Sequence, residues 1–397
     1  MTALTLADLC DLVVDCKNRT PPEAAPGEEI TGFAIGTPNI IDGRIRLSDA
    51  KPVSSETFST WTARAVPKAG DIVLTREAPV GRVGRVEQGM NLCLGQRTML
   101  LRPNEQRSDS RFLHYFLLSP AVQELLHSQA SGSTVAHLRV AQVRDLRIPL
   151  VPGVAEQRQI GSVLGALDDK IAVNERIAST ADSMCDLIFQ SHAQRHTCVS
   201  MSQLLQPILG GTPDRKEESY WDGSVPWASA KDVVNATAGV LMSTEEHITE
   251  AATQDSRAKE LRPGSVVLTA RGTVGAVARM AMSAAINQSC YAFEPGRVPS
   301  AVLFHMVRSA SKSMLGMAHG TVFSTVNMKT FDHVEIPDLP ADVLESLDGE
   351  LTSLHQLIES HLRESRQLAT LRDTLLPQLM SGRLRVKVAE KIVEDAT

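Results

Sequence analysis

Two stretches of the chain repeat their apolar positions with helical spacing. In residues 155–196, Ile160, Val163, Leu164, Leu167 and Ile171 recur with polar residues between them, and no proline interrupts the run. In the C-terminal stretch, Leu344, Leu347, Leu351, Leu354 and Ile358 follow one another by alternating steps of three and four, the seam of a coiled coil. His361 and Ser365 interrupt that seam, and Leu368, Leu371 and Leu375 resume it. At an offset of 187 the seams coincide: Ile160 with Leu347, Leu164 with Leu351, Leu167 with Leu354, Ile171 with Ile358. A helix of ~40 residues is roughly 60 Å long, longer than a compact domain of this size. The pattern predicts two such helices burying their seams on each other, antiparallel, in the order globule, helix, globule, helix. The alternative is that each helix packs on its own globule.

The pattern before each helix is short-ranged and occurs twice. GDIVLTREAPVGRV from Gly70 matches GSVVLTARGTVGAV from Gly264 at seven of fourteen positions, with an offset of 194. Gln96 and Pro103 match Gln288 and Pro295 at 192, and GSTVAHLRV from Gly132 faces GTVFSTVNM from Gly320 at 188, as does Ile148-Pro149 with Ile336-Pro337. Conserved order with a slowly shrinking offset marks two copies of one domain whose loops differ in length. In each copy GDIVLT or GSVVLT reads as a short apolar strand led by glycine and rich in β-branched residues, followed by a glycine-containing turn into another strand. Residues 111–126 read as a helix pair around Pro120, with 303–315 their counterpart. The fold class expected is α+β: two tandem mixed α/β domains, residues 1–152 and 198–340, separated by two long helices, 153–197 and 341–397, forming an antiparallel coiled coil.

Length argues for more than one core, and 43% hydrophobic with 22% charged residues is ordinary for globular protein. No run approaches the ~20 apolar residues of a membrane span, and the N-terminus lacks a basic leader. Six scattered cysteines without a CxxC pair read as reduced thiols, so a cytoplasmic location is expected. Net charge is −6, distributed as +1 over residues 1–150, −2 over 151–197, −2 over 198–340 and −3 over 341–397. Residues 64–111 are locally +4, a patch suited to phosphate inside a chain whose weak total charge implies help from partners.

Catalytic signatures are missing. There is no GxxxxGK[ST] loop, no FxGxG loop, no Asn-Pro-Pro-aromatic tetrapeptide, no GxSxG elbow and no HExxH helix. His192, His196 and Cys198 have ligand-like spacing but no fourth ligand nearby, so neither a catalytic nor a metal site is expected there. Asp168-Asp169 reads as a solvated helix face.

The internal repeat, EQRQIGSVLGALDDKIAVNERI from Glu156, and LRDTLLPQLMSGRLRV from Leu371 together resemble the specificity subunits of type I restriction-modification systems, over essentially the whole chain. The resemblance implies two target recognition domains, each reading one half of a split, asymmetric site on double-stranded DNA. It implies helices that set the gap and dock two modification (methyltransferase) subunits, with restriction (ATP-dependent nuclease) subunits joining them. It implies no cofactor on this chain, S-adenosylmethionine and ATP belonging to the partners. The second helical region departs from the pattern: ADVLESLDGEL stands where EQRQI would open it, which implies different partner contacts there. Half-sites on one DNA face lie about 34–36 Å apart.

Polar residues inside the matched frame are the candidate DNA contacts. Arg76 and Arg82 flank the first turn and Arg271 sits in the second; each suits guanine or phosphate, or a surface ion pair with Glu77. Gln96-Arg97 and Gln288-Ser289 occupy one place in the two copies, and glutamine can read adenine or merely cap a turn. The loops containing Ser133, Thr134 and Thr321 lead to His137, Arg139, Ser324, Asn327 and Lys329, groups suited to phosphate or to an ordinary polar loop. Trp61 and Trp227 are expected in the core rather than stacked on bases. Across the copies Arg76-Glu77 becomes Ala270-Arg271, and His137-Leu138-Arg139 becomes Thr325-Val326-Asn327.

Overall fold

The computed structural model describes residues 4–17, 19–130, 136–149, 151–318 and 326–396. It divides into two compact units, Met1–Ile171 with Gln367–Thr397, and Ala172–Arg366. The first passes through β1 (Cys10–Asp15), β2 (Ile30–Ile35), β3 (Ile40–Ile41), β4 (Arg44–Ile45), β5 (Lys51–Ser54), α1 (Ser55–Trp61), β6 (Ile72–Thr75), β7 (Val83–Arg85), β8 (Leu92–Leu94) and β9 (Thr98–Pro103). Helices α2 (Ser110–Leu118), α3 (Pro120–Gln129) and α4 (Val140–Arg144) follow, and then α5 (Val154–Ala193) begins. One antiparallel sheet has the order β1-β9-β6-β7; another has the order β5-β2-β8, with β2 and β8 parallel.

Every residue of β6 is buried because the strand is covered on both faces. Ile72 and Leu74 enter a core shared with the helices, and Val73 enters a second core with Ile35, Leu92 and Leu94. A strand covered twice reads as an unbroken apolar run, which is why GDIVLT shows no alternation. Ser119 and Pro120 split α2 from α3, proline taking the first helical position where its missing N–H costs nothing.

The second unit continues through β10 (Cys198–Ser200), α6 (Met201–Leu204), β11 (Ile208–Leu209), β12 (Trp221–Ala228), α7 (Ala230–Val234), β13 (Val240–Leu241), β14 (Glu246–Ile248), α8 (Glu250–Asp255) and β15 (Glu260–Leu261). It ends with β16 (Val266–Thr269), β17 (Val277–Met280), β18 (Ala284–Ile286), β19 (Cys290–Phe293), α9 (Ser300–Ala318), α10 (Thr330–His333) and β20 (Glu335–Pro337), ahead of α11 (Ala341–Met380) and α12 (Val386–Glu394). The sheet order β11-β19-β16-β17-β13 contains the first unit's order, and β12 pairs parallel with β18 as β2 does with β8. Val266 and Leu268 face the helices while Val267 faces the second core, as in β6. Without a proline the counterpart of the α2–α3 pair is one helix, α9. Among the described residues no helix is long and apolar enough to cross a membrane.

Both long helices span 40 residues, and each unit contains part of each. In the first unit Ile160, Val163, Leu164, Leu167 and Ile171 share a core with Leu368, Leu375, Leu376 and Leu379 of α11 and with Phe112 and Phe116 of α2. In the second, Leu344, Leu347 and Leu351 pack with Cys185 and Phe189 of α5, while Ile358 and Leu362 meet Ala178 and Ala181. The start of one helix thus meets the end of the other, an antiparallel pairing. The two matched seams therefore do not face one another, a correction to the simplest reading of the periodicity. Each seam faces the other helix's continuation and a domain as well, so helix-on-helix and helix-on-domain packing occur together.

The EQRQI signature has a structural cause. Gln157, 1% exposed, accepts from Asp109 N–H at 2.9 Å and donates to the carbonyls of Arg107 (3.1 Å) and Pro152 (2.9 Å). Gly161 and Gly165 lie so close to α2 that a Cβ would stand 2.9 Å from Phe112 N and 2.4 Å from Arg111 Nη1. At the 187 offset Gln157 becomes Leu344, which is buried in apolar surroundings.

The junction between helix and domain differs most. In the first unit Tyr115 donates to Asp168 Oδ2 at 2.5 Å, and Arg372 and Arg44 donate to Oδ1 at 2.6 and 3.3 Å. Burial opposes ionisation of Asp168, but Arg372 and the Tyr115 hydroxyl outweigh it and hold the carboxyl below its ordinary range. Ser110 and Ser300, offset 190, each donate to the carbonyl of a matched glycine, Gly70 or Gly264, so Tyr115 corresponds to His305. At 187 Asp168 corresponds to His355, and Cys185 to Arg372. His305 Nδ1 lies 2.7 Å from Asp186 Oδ1, and its Nε2 lies 2.9 Å from His355 Nε2. Burial, then Arg279, pushes His355 down to about 2; burial, then Asp182 and Asp186, pushes the Cys185 thiol up to about 12.

Candidate nucleic-acid interface

In each domain three segments converge at the C-terminal end of the central strand. Arg76 N–H donates to Arg97 O at 2.8 Å and Leu138 N–H donates to Arg76 O at 2.8 Å. In the second domain Ala270 N–H donates to Ser289 O at 2.7 Å and Val326 N–H donates to Ala270 O at 3.1 Å. The turn beyond is tied identically: Thr75 Oγ1 donates to Pro79 O and accepts from Arg82 N–H, and Thr269 Oγ1 donates to Thr273 O and accepts from Ala276 N–H. Backbone hydrogen bonds thus bring together the very positions aligned at offsets of 194, 192 and 188.

On this frame the side chains differ. Arg76 is turned inward: its Nη1 donates to Leu138 O at 3.3 Å, and its Nε is buried without a partner. Arg82 donates to the carbonyls of Thr37 (3.0 Å) and Ile40 (3.3 Å), which ties the turn to the β3 loop. Arg97 adopts φ +74°, rare outside glycine, and its Nε meets Glu77 at 2.9 Å; Glu77 bridges His137 through the backbone. Gln96 is half-buried beside it, and Arg139 is exposed ahead of α4.

In the second domain Arg271 is exposed and makes no hydrogen bond or ion pair with a described residue. Gln288 accepts from Thr212 Oγ1, and Ser289 N–H donates to Asn287 Oδ1 at 3.0 Å. Asn327 Oδ1 accepts from Lys329 N–H at 3.0 Å, and both residues are exposed where α10 begins. Ser133, Thr134, Thr321 and Ser324 lie outside the described residues.

The aromatic residues divide. Trp227 is 3% exposed and donates to Gly211 O at 3.0 Å, a core residue as its composition suggests. Trp61 is half-buried, with Lys17 Nζ 4.9 Å from its ring. Sequence reasoning missed Arg215, whose guanidinium lies 3.8 Å from the Trp221 ring and forks onto Glu246 at 2.5 and 2.9 Å. That fork holds the Glu246 carboxyl below its usual range. No spacing in the sequence signals this contact, because 31 residues separate its partners.

Over residues 5–181 and again over 200–359, the chain matches the type I restriction modification DNA specificity domain. It is 21% identical over 372 residues to the MjaIX type I restriction enzyme specificity subunit of Methanocaldococcus jannaschii, covering 84% of this chain and 82% of that one. It is 28% identical over 167 residues to the EcoR124I/EcoR124II specificity subunit of Escherichia coli, 39% and 41% of the two chains. The crystal structure of a type I restriction-modification S subunit from M. genitalium superposes with a TM-score of 0.54 at 15% identity, over 96% of both chains, a likeness of fold.

Proposed function

Because the chain belongs to the type I restriction-modification DNA specificity family, we propose that it is the non-catalytic, sequence-reading subunit of such a complex, each domain reading one half of a bipartite, asymmetric site. The observation that carries this is the strand-end frame, built twice with the same backbone hydrogen bonds and different side chains. A constant frame fixes register on DNA, and exchanged polar groups change which base edges are read. Arg97, His137 and Arg139 in the first domain, and Arg271, Gln288, Asn327 and Lys329 in the second, are the groups this reading puts nearest DNA. Arg76 and Arg82 act through the loops they tie down.

The paired helices set the gap between half-sites and dock two modification subunits, which carry S-adenosylmethionine and methylate the DNA. Restriction subunits, with ATP, complete the nuclease. The net charge of −6 fits a reader whose phosphate contacts come largely from those partners.

Exchanging residues 1–152 for the matching domain of another family member tests the reading within the assembled methyltransferase. One half-site should change and the other, with the gap, should persist; a change in both halves contradicts it.

A further inference from the structure

Three side chains from three elements converge in the interior of the second unit: Cys185 of α5, His305 of α9 and His355 of α11. All are buried, and their Sγ and imidazole nitrogens lie within 4.8 Å of one another. We propose that Cys185, His305 and His355 form a binding site for a thiophilic divalent cation, Zn2+, that ties the two long helices to the second domain.

Two imidazoles and a thiolate are the donor set such a cation prefers. The outer contacts are also in place. A carboxylate can only accept, so the 2.7 Å contact with Asp186 puts the His305 proton on Nδ1 and leaves Nε2 as a lone pair facing the cluster. A carboxylate behind a ligating histidine is the usual support for a metal-bound imidazole. Asp186 is itself fixed by Arg308 Nη1 at 3.3 Å and Lys312 Nζ at 3.0 Å, and Asp182 by Arg308 at 2.9 Å.

Charge favours the ion. Asp182 and Asp186 against Arg308 leave one negative charge beside the cluster, Lys312 being 59% exposed. Zn2+ with one thiolate carries one positive charge. On binding, the Cys185 thiol releases its proton to solvent and the His355 proton moves from Nε2 to Nδ1, freeing the second nitrogen. With Zn–N about 2.0–2.1 Å and Zn–S about 2.3 Å, tetrahedral ligand atoms lie ~3.3–3.7 Å apart. The imidazole nitrogens, now 2.9 Å apart, need separate by only a few tenths of an ångström. As at His192, His196 and Cys198, only three protein ligands are present, and water takes the fourth position. What separates this cluster is that all three of its ligands are buried together within 4.8 Å, whereas Cys198 is exposed.

The first unit makes the contrast. The matched positions hold Arg372, Tyr115 and Asp168, where Arg372 neutralises the Asp168 carboxylate and Tyr115 donates a hydrogen bond to it. That junction is complete without an ion, and the second has exchanged all three groups for metal-ligand types.

The test uses the metal-stripped full-length chain, titrated with Co2+ as a spectroscopic probe and then with Zn2+ in competition. One equivalent of Co2+ should bind with a thiolate charge-transfer band and tetrahedral d–d bands, and Zn2+ should displace it. Cys185→Ser should abolish the charge-transfer band, and Asp186→Asn should weaken Zn2+ binding about 10- to 100-fold. Cys198→Ser, at the exposed thiol near His192 and His196, should change neither. Wild-type protein that takes up no stoichiometric Co2+ overturns the proposal whatever the variants do. So does a charge-transfer band lost in Cys198→Ser and kept in Cys185→Ser.

Discussion

In the first unit Asp168 receives a tyrosine hydroxyl and two guanidinium groups; in the second, His355 stands at the matched position among an imidazole and a thiol. Below these junctions the two domains share strand order, the alternation of their central strand between two cores, and the hydrogen bonds of the strand-end frame. Buried backbone groups must be paired in either copy, so the frame cannot drift. A buried polar cluster has several chemistries that satisfy it, and here each unit has taken a different one.

The largest effect should follow from Asp168→Ala. Arg372, 17% exposed, keeps only the largely exposed Asp373 as a carboxylate partner, and Tyr115 loses its acceptor. Unfolding in urea should show a loss of about 3 kcal/mol, with faster amide exchange in residues 154–171 and 367–380. A loss below about 1 kcal/mol would mean that the ion pair does not hold the junction.

Gln157→Leu imports the residue the second unit uses at Leu344. It leaves Asp109 N–H and the carbonyls of Arg107 and Pro152 without their partner and should cost about 2 kcal/mol. Urea titration checks this, and a neutral outcome would show that the signature glutamine is kept for a reason other than the cap on α2.

His114 and Phe304 are matched residues, both buried. Burial pushes His114 down to about 4, with Asp168 opposing and Arg85, Arg372 and Arg44 assisting. The folded value lies below the unfolded one, so this contribution to stability is complete above pH ~6.5. It is lost as pH falls toward the folded value, at up to ~1.4 kcal/mol per unit. His114→Phe should therefore flatten the acid limb, gaining about 1 kcal/mol on wild type between pH 7.5 and 5.5. Parallel stability curves for the two proteins would refute the assignment.

Arg271→Ala should have the smallest effect. In the proposed reading the exposed guanidinium meets a phosphate, so its loss should lower the slope of log K against log salt by about one across all sequences. An unchanged slope with altered base preference would instead make Arg271 a base reader.

Much of this was legible in the chain. The shrinking offsets located the matched strand ends because the frame fixes their spacing. The length of the first helix followed from its unbroken periodicity, whereas the second, read as 341–397, ends at Met380 and gives way to α12. GDIVLT announced a strand, but not that both its faces are covered. The seam partners were not legible, because periodicity says which face of a helix is apolar but not what it meets. Ala178 and Ala181, small enough to accept Ile358 and Leu362, carry little weight in a hydrophobic pattern. Asp168 read as solvent-facing because Tyr115 and Arg372, 53 and 204 residues away, pair with it only in the fold. Cys185, His305 and His355 are equally scattered. Arg76 read as a contact and lies turned inward, since the sequence names a charge without its direction.

Methylation mapping of DNA from cells containing this chain and the modification subunit proposed to partner it bears most directly on the claim that two readers share one frame. The account predicts a split motif with two unlike halves and a fixed gap, absent when this chain is deleted. A continuous motif, or methylation independent of this chain, would contradict it.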